Sequence, residues 1–286
     1  MRGVTVAAIA AHAAGQVSED SYGQVGDENH GAVWVLDGAT GLGDKNYIAG
    51  AYSDAAWYAR EFSKSLVEFS LTAETPEAVF MLAIQQVAQQ WDDAIGVVDV
   101  PRYCLPSAAG IWLRWRGGML EAVSLGDCRA WHVGTDGSLT QLGLLDEDPN
   151  DDWVAAQVVQ HQAAGIAAQD MRVAVMDNLR AARSRMNQPG GYWIFGIHAE
   201  TAQHLYIKRL PLAPGHLVLC SDGLFRWVDI YRQGGATEFI QACIQDIPGV
   251  LARVREVENG DSDCKAYPRL KVHDDATGLV LCAQQV

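Results

Sequence analysis

Carboxylates that could bind a metal ion stand beside the apolar, strand-like segments of this sequence. They are Glu19 and Asp20 after 4–10, Asp37 after 32–36, Asp127 after 119–125, Asp222 after 217–220, and Asp274 and Asp275 before 278–283. Carboxylates at the ends of adjacent strands can converge on one edge of a β-sandwich, where their mutual repulsion is relieved by protons or by shared cations. Such oxygen ligands suit Mg²⁺ or Mn²⁺, and a neighbouring glycine lets a backbone carbonyl approach the ion.

The predicted strands come in hairpins, and the predicted helices come in pairs. The residues 111–115 and 119–125 flank Gly117-Gly118, a two-residue turn that tolerates positive φ. This order favours an α+β fold over a parallel, doubly wound sheet. We therefore expect a four-layer α-β-β-α sandwich, in which two central antiparallel sheets are flanked by helices.

Helices are predicted where apolar residues recur at three- and four-residue steps. The first prediction covers 46–70 and includes Ile48 and Tyr52 in its apolar face. A second helix begins at Thr75 as the N-cap, with Pro76 in its first turn. Further helical segments are expected at 154–164, 166–186, 236–246 and 250–257.

Composition excludes several classes of protein. The chain has 286 residues, 35 acidic and 21 basic, with a formal net charge of −14. Such an acidic balance disfavours nucleic acid and anionic membranes as partners, since both select basic surfaces. No linker-like segment divides the sequence, so we expect one domain over 1–286.

The six cysteines, Cys104, Cys128, Cys220, Cys243, Cys264 and Cys282, form no C-x-x-C pair. Most lie in apolar runs, which argues against a zinc site and favours free thiols in a reducing compartment. The start of the chain has some features of a signal peptide, but we interpret it as a first strand. The expected localisation is therefore the cytoplasm, with no membrane association.

Five segments in order resemble the motifs of the type 2C, metal-dependent protein phosphatase family. They are Ser18-Glu19-Asp20-Ser21, Val35-Leu36-Asp37-Gly38, Ser124-Leu125-Gly126-Asp127-Cys128-Arg129-Ala130, Leu219-Cys220-Ser221-Asp222-Gly223-Leu224 and Asp274-Asp275. The resemblance covers nearly the whole chain, from Val4 to Cys282, and is of the bacterial type. It implies the same layered fold and two or three Mg²⁺ or Mn²⁺ ions.

The resemblance also implies a role for each carboxylate. Asp37 would bridge two ions, the Gly38 carbonyl would bind the second, and Asp222 would bind the first together with Asp275. Glu19 and Asp20 would hold the second ion, partly through water, and Asp127 with Asp222 matches the position of a weaker third metal. Asp37 and Asp222 are thus the predicted catalytic residues, supporting in-line attack of an activated water on phosphorus.

The sequence departs from the family pattern where substrate phosphate is held. The stretch 13–18 contains no arginine, Ala39 stands where animal members carry a histidine, and Ala276 follows Asp275. Arg226, Arg183 and Arg185 are candidates to replace the missing arginine. His12 and His273 are the histidines nearest to the predicted site.

A flap or insert is predicted around 144–190. It includes the acidic run 146–152, which either shapes substrate access or is a solvated loop that begins a helix.

Three functions follow from this pattern. The first is metal-dependent hydrolysis of phosphoserine or phosphothreonine in a protein partner, opposing a serine/threonine kinase. The second is a pseudophosphatase that binds metal and a regulatory or phosphorylated protein without turnover. The third is a phosphatase of small phosphorylated metabolites.

Overall fold

The computed structural model describes residues 2–39, 41–144, 156–161, 163–166 and 168–285. One antiparallel sheet has the strand order β1 (Arg2–His12), β11 (Ala276–Gln285), β10 (Gly215–Cys220), β6 (Arg129–Gly134) and β7 (Leu139–Gln141). The other has the order β2 (Ser21–Gly26), β3 (Gly31–Ala39), β4 (Ser107–Arg116), β5 (Met119–Leu125) and β9 (Tyr206–Pro211). A short β8 (Phe195–Gly196) pairs with the start of β4.

Helices cover the outer faces of both sheets. The helices on the sheets are α1 (Asp54–Phe69), α2 (Pro76–Ile95), α5 (Asp222–Asp229) and α6 (Ala236–Gly260), while α3 (Ala168–Ala174) and α4 (Met176–Arg183) belong to the stretch between β7 and β8. Side chains of α1 and α2 pack on the six-stranded sheet, and those of α5 and α6 pack on the five-stranded sheet. A third buried cluster lies between the sheets. The predicted four-layer α-β-β-α arrangement is confirmed.

Alternation along β4 shows how the sequence divides its side chains between layers. Ile111 and Leu113 belong to the cluster between the sheets, whereas Trp112 belongs to the cluster under α1 and α2. Successive side chains of a strand point to opposite faces, so a continuous apolar run is buried on both sides.

The prediction that the first helix starts at residue 46 is wrong. Helix α1 begins at Asp54, because Ser53 is its N-cap and accepts a hydrogen bond from the Ala56 backbone N–H. Gly50 has a φ of 76°, which lies outside the helical region, so no helix runs through it into α1. Tyr52, expected in the apolar face, is instead exposed.

Two elements beside the carboxylates were missed. The strand β2 has alternating half-buried and exposed residues without an apolar run, and α5 is only eight residues long. Neither carries a periodic apolar signal long enough to predict.

No helix in the described ranges is long and apolar enough to cross a membrane. All six cysteines are free, and five of them are buried.

Candidate metal centre

The carboxyl groups of Asp37 and Asp222 share a hydrogen bond at the centre of the predicted site. Asp37 lies in β3, and Asp222 begins α5 directly after β10. Burial, and then the charges of Asp222 and Asp20, raise the pKa of Asp37 well above its usual value. The raised pKa of Asp37 favours a proton on this carboxyl when no cation is bound, and a proton shared with Asp222 relieves the repulsion between the two carboxylates.

Asp20 reaches the same cluster from the residue before β2. Its Oδ2 accepts a hydrogen bond of 2.9 Å from Ser221 Oγ, while its buried Oδ1 has no partner within the described chain. Burial, together with the charges of Asp222 and Asp275, raises the pKa of Asp20 to about 7. A buried carboxylate oxygen without a donor costs free energy, and it is an available ligand position for a cation.

Asp275 ties the loop after β1 to the start of β11. Its two oxygens accept hydrogen bonds of 2.6 Å from the backbone N–H groups of Ala14 and Glu19. Glu19 in turn accepts a 2.5 Å hydrogen bond from Ser53 Oγ, so the N-cap of α1 also orients a carboxylate. Thus Asp275 and Glu19 lie at the predicted site, but both carboxylates have protein donors.

Glycine allows these segments to approach. A Cβ on Gly38 would lie 2.5 Å from the Glu19 carbonyl oxygen, and a Cβ on Gly223 would lie 1.8 Å from the Asp275 carbonyl oxygen. Both contacts are too close for any side chain. Each glycine therefore follows its aspartate because a second segment of the site packs directly against the backbone.

The oxygen atoms of these carboxyl groups are of the type that hard divalent cations bind. The carboxyls of Asp20, Asp37, Asp127 and Asp222 interact with one another, and burial raises the pKa of Asp20 and Asp37. Buried, mutually repelling carboxylates are neutralised either by protons or by cations. Within the described ranges, however, no group of three or more acidic, histidine or cysteine side chains is arranged to hold one metal ion. Cation binding would therefore displace the proton between Asp37 and Asp222 and reorient these side chains.

Two positively charged side chains lie on the Asp222 side of the cluster. Arg226, one turn along α5, forms an ion pair with Asp274, and Lys271 also pairs with Asp274. Burial would raise the pKa of Asp222, but the hydrogen bond from Asp37 and the charges of Arg226 and Lys271 outweigh it and lower that pKa. These cations stabilise the ionised form of Asp222. Lys271 was not recognised in the sequence.

The candidates for a replacement arginine occupy different environments. Arg226 is largely buried against Asp274. Arg183 is half-buried at the end of α4, where its Nη2 donates to the Ala39 carbonyl at 2.6 Å and to Ser107 Oγ at 3.0 Å. This holds α4 against the end of β3. Arg185 lies just beyond α4, and a role for it in substrate binding stays a prediction.

The cysteines beside the motifs are not suited to nucleophilic catalysis. Burial raises the pKa values of Cys128 and Cys220 well above that of a free thiol, and the nearby carboxylates raise the pKa of Cys128 further. Of the histidines, His273 bonds to Asn259 Oδ1 at 3.0 Å, and His12 is exposed at the end of β1.

The loop that carries Lys271, Asp274 and Asp275 is anchored by Asp261. Its carboxylate accepts hydrogen bonds from Arg269 Nη1 and from three backbone N–H groups, those of Lys265, Ala266 and Tyr267. We expect Asp261→Ala to lower the free energy of unfolding by about 2–4 kcal/mol, because four donors lose their acceptor. Urea denaturation at pH 7 measures this change.

Asp263→Ala is the matched control, because Asp263 is exposed two residues away and its replacement should change stability by at most about 0.5 kcal/mol. Equal effects of the two substitutions would contradict the anchoring role of Asp261.

The anchoring by Asp261 also predicts a pH dependence. Burial raises its pKa, but the backbone hydrogen bonds and Arg269 outweigh burial and lower it. A carboxyl whose pKa is lower in the folded protein than in the unfolded chain stabilises the fold above about pH 4. This contribution is lost as the pH falls through the pKa of the folded protein. The stability difference between the wild type and Asp261→Asn should therefore shrink between pH 5 and pH 3, in urea titrations at each pH. A difference that stays constant in acid would contradict this.

The serines at the site could not be recognised from the spacing of residues along the sequence. Ser53 and Ser221 contact Glu19 and Asp20 across 34 and 201 residues. Ser221 was recognised only as part of a motif, and Ser53 lay inside the helix predicted over 46–70. The acidic run 146–152 lies outside the described residues, so the predicted flap, of which the structure describes α3 and α4, stays a prediction.

Solved bacterial serine/threonine phosphatases share this architecture. The Mycobacterium tuberculosis serine/threonine phosphatase PstP/Ppp matches with a TM-score of 0.56 and 16% identity, over 99% of this chain and 100% of that one. PppA, a regulatory component of T6SS in Pseudomonas aeruginosa, matches with a TM-score of 0.56 and 17% identity, over 99% of this chain and 100% of PppA. The PstP catalytic domain in complex with 2 manganese ions matches with a TM-score of 0.52 and 16% identity, over the full length of both chains. No family profile and no curated protein matches the sequence. The chain thus has the type 2C phosphatase fold.

Proposed function

We propose that this protein is a metal-dependent phosphatase that hydrolyses phosphoserine or phosphothreonine in a protein partner, opposing a serine/threonine kinase in the cytoplasm. The observation that carries the proposal is the cluster of half-buried carboxyl groups of Asp20, Asp37 and Asp222, placed on a fold shared with bacterial serine/threonine phosphatases. The solved complex of the PstP domain with 2 manganese ions supports the choice of cation.

In this proposal Asp37, Asp222 and Asp275 would hold one Mg²⁺ or Mn²⁺ ion, and Asp37, the Gly38 carbonyl, Glu19 and Asp20 would hold the second. Asp127 with Asp222 forms the weaker third position. Bound cations would acidify a water molecule and supply positive charge to the phosphoryl oxygens.

The chain's own residues set up these positions. Ser221 and Ser53 orient Asp20 and Glu19 by donating to their carboxylates, and Arg226 and Lys271 keep Asp222 ionised. Asp37 must lose its proton before it can bridge two cations. The cluster therefore exchanges one proton for divalent charge on loading.

A pseudophosphatase is the second candidate, and one specific observation favours it. Asp275 and Glu19 already accept hydrogen bonds from the protein, and no three-ligand metal group is arranged within the described ranges. In that case the cluster binds cations and a phosphorylated or regulatory protein, but does not turn over substrate.

Substrate preference separates the candidates. With Mn²⁺, we expect faster hydrolysis of a phosphothreonine peptide than of sugar phosphates at equal concentration, measured by phosphate release. The reverse preference would favour a phosphatase of small metabolites. Binding of the peptide without phosphate release would favour the pseudophosphatase.

A further inference from the structure

A cavity of about 430 Å³ opens beside the carboxylate cluster. The loop before β2 lines one side with Ser18 and Asp20, and the turn before α1 lines the other with Tyr52. Its size is in the range of pockets that bind small ligands. Because Asp20 belongs both to the cavity wall and to the buried cluster, a group in this cavity lies next to the proposed metal site.

Arg60 is the one cationic residue among the described residues that line this cavity. It lies on the same face of α1 as Ala56 and Trp57, which are four and three residues before it and also line the cavity. The side chain of Arg60 is 63% exposed. An arginine in this position can meet an anion that enters the cavity.

The observed contact of Arg60 leaves its outer donors available. Its Nε lies 3.3 Å from Glu61 Oε1, but Lys64 Nζ lies closer to the same carboxylate, at 2.9 and 3.1 Å from its two oxygens. Lys64 thus compensates the charge of Glu61. An exposed ion pair of this kind contributes little free energy, so an incoming phosphoryl group can replace it.

Two other arginines near the cluster, Arg226 and Arg183, already bind protein acceptors, although Arg226 Nη1 and Arg183 Nε have no partner within the described chain. Arg226 pairs with Asp274, and Arg183 donates to the Ala39 carbonyl and to Ser107. The Asp20 carboxylate in the cavity wall would repel a phosphoryl dianion unless a cation faces it. A guanidinium binds phosphate oxygens with two parallel hydrogen bonds, which gives both charge and orientation.

We infer that Arg60 binds the phosphoryl oxygens of the substrate in this cavity and is a determinant of substrate affinity. The inference rests on the proposed function for the identity of the substrate. The exposed ring of Tyr52 offers an apolar wall beside Arg60, suited to the residues that flank a phosphorylated side chain in a protein.

Arg60→Ala tests this inference against Lys64→Ala as the matched control. Lys64 lies one turn further along α1, is 64% exposed and pairs with the same Glu61, but it does not line the cavity. With Mn²⁺ and a phosphothreonine peptide, Arg60→Ala should raise KM about 10- to 100-fold with a small change in kcat. Arg60→Lys should recover part of the affinity, and Lys64→Ala should match the wild type.

A binding measurement separates failure of this inference from failure of the proposed function. Calorimetric titration of inorganic phosphate into the Mn²⁺-supplemented protein should show weaker binding for Arg60→Ala than for Lys64→Ala. This comparison holds even if the wild type does not hydrolyse the peptide. Equal KM values in the two variants would overturn the role of Arg60. If the wild type shows no turnover, equal phosphate affinities of the two variants would overturn it.

Discussion

Replacing Asp37 with asparagine is expected to reduce hydrolysis of a phosphothreonine peptide by about 10³-fold. Asp37 lies at the centre of the cluster, is half-buried, and interacts with Asp20, Asp127 and Asp222. An amide is neutral and cannot bridge two divalent cations, so both proposed ions lose a ligand. Phosphate release at saturating Mn²⁺, with wild type in parallel, measures this effect.

The control for this substitution is Asp136→Asn. Asp136 is also followed by a glycine, but it lies in an exposed hairpin turn, where it accepts a hydrogen bond from the Ser138 backbone. The chain turns at Asp136-Gly137, with a φ of 82° at the glycine. We expect the wild-type rate for Asp136→Asn. Retention of activity in Asp37→Asn would contradict the assignment of Asp37.

Asp37→Asn should leave the metal-free protein at least as stable as the wild type. The buried Asp37 carboxyl faces the like charges of Asp222 and Asp20, which disfavour its ionised form. Keeping this carboxyl protonated at pH 7 costs free energy, whereas an amide is neutral and can still donate to Asp222, so the free energy of unfolding is preserved or raised. Urea denaturation in a chelator tests this, and a loss of more than about 2 kcal/mol would point to a structural role instead.

Arg114→Ala is expected to give the largest loss of stability, about 3–5 kcal/mol. Arg114 is fully buried in β4, where its Nε donates to Glu121 at 2.7 Å. Its two Nη atoms donate to the carbonyls of Ser70, Ala73 and Glu74, just beyond the end of α1. Truncation leaves the buried Glu121 carboxylate without its main partner and three carbonyls without a donor.

Thermal melting of Arg114→Ala should show a decrease in Tm of roughly 10 °C. Arg253→Ala is the control, because Arg253 is exposed on α6 and its ion pair with Glu256 contributes little. Replacing both Arg114 and Glu121 with Met should recover much of the loss, since no buried charge is then unpaired. A Tm within about 2 °C of the wild type in Arg114→Ala would show that the carbonyls find other donors.

The sequence predicted the layered fold and the carboxylates because both depend on local patterns. An aspartate followed by glycine after an apolar strand is visible in one short segment, as for Asp37-Gly38 and Asp222-Gly223. The reason for these glycines emerged only in three dimensions, because each packs against a carbonyl from a distant segment.

The rest of the site depends on contacts that spacing does not reveal. Arg60 appears in the sequence as one more polar residue of an amphipathic helix, and only the packing of α1 against the loop before β2 places it on the cavity. In the same way, the hydrogen bonds that the Asp275 carboxylate accepts from the backbones of Ala14 and Glu19 could not be predicted from the sequence. Such contacts join residues more than 250 positions apart.

A titration with Mn²⁺, followed by thermal melting and by phosphate release from a phosphothreonine peptide, tests the central claim most directly. The account predicts that Mn²⁺ raises Tm and supports hydrolysis over the same concentration range, and that Asp222→Asn loses both effects. If Mn²⁺ neither raises the Tm nor supports hydrolysis in the wild type, the carboxylate cluster is not a metal centre.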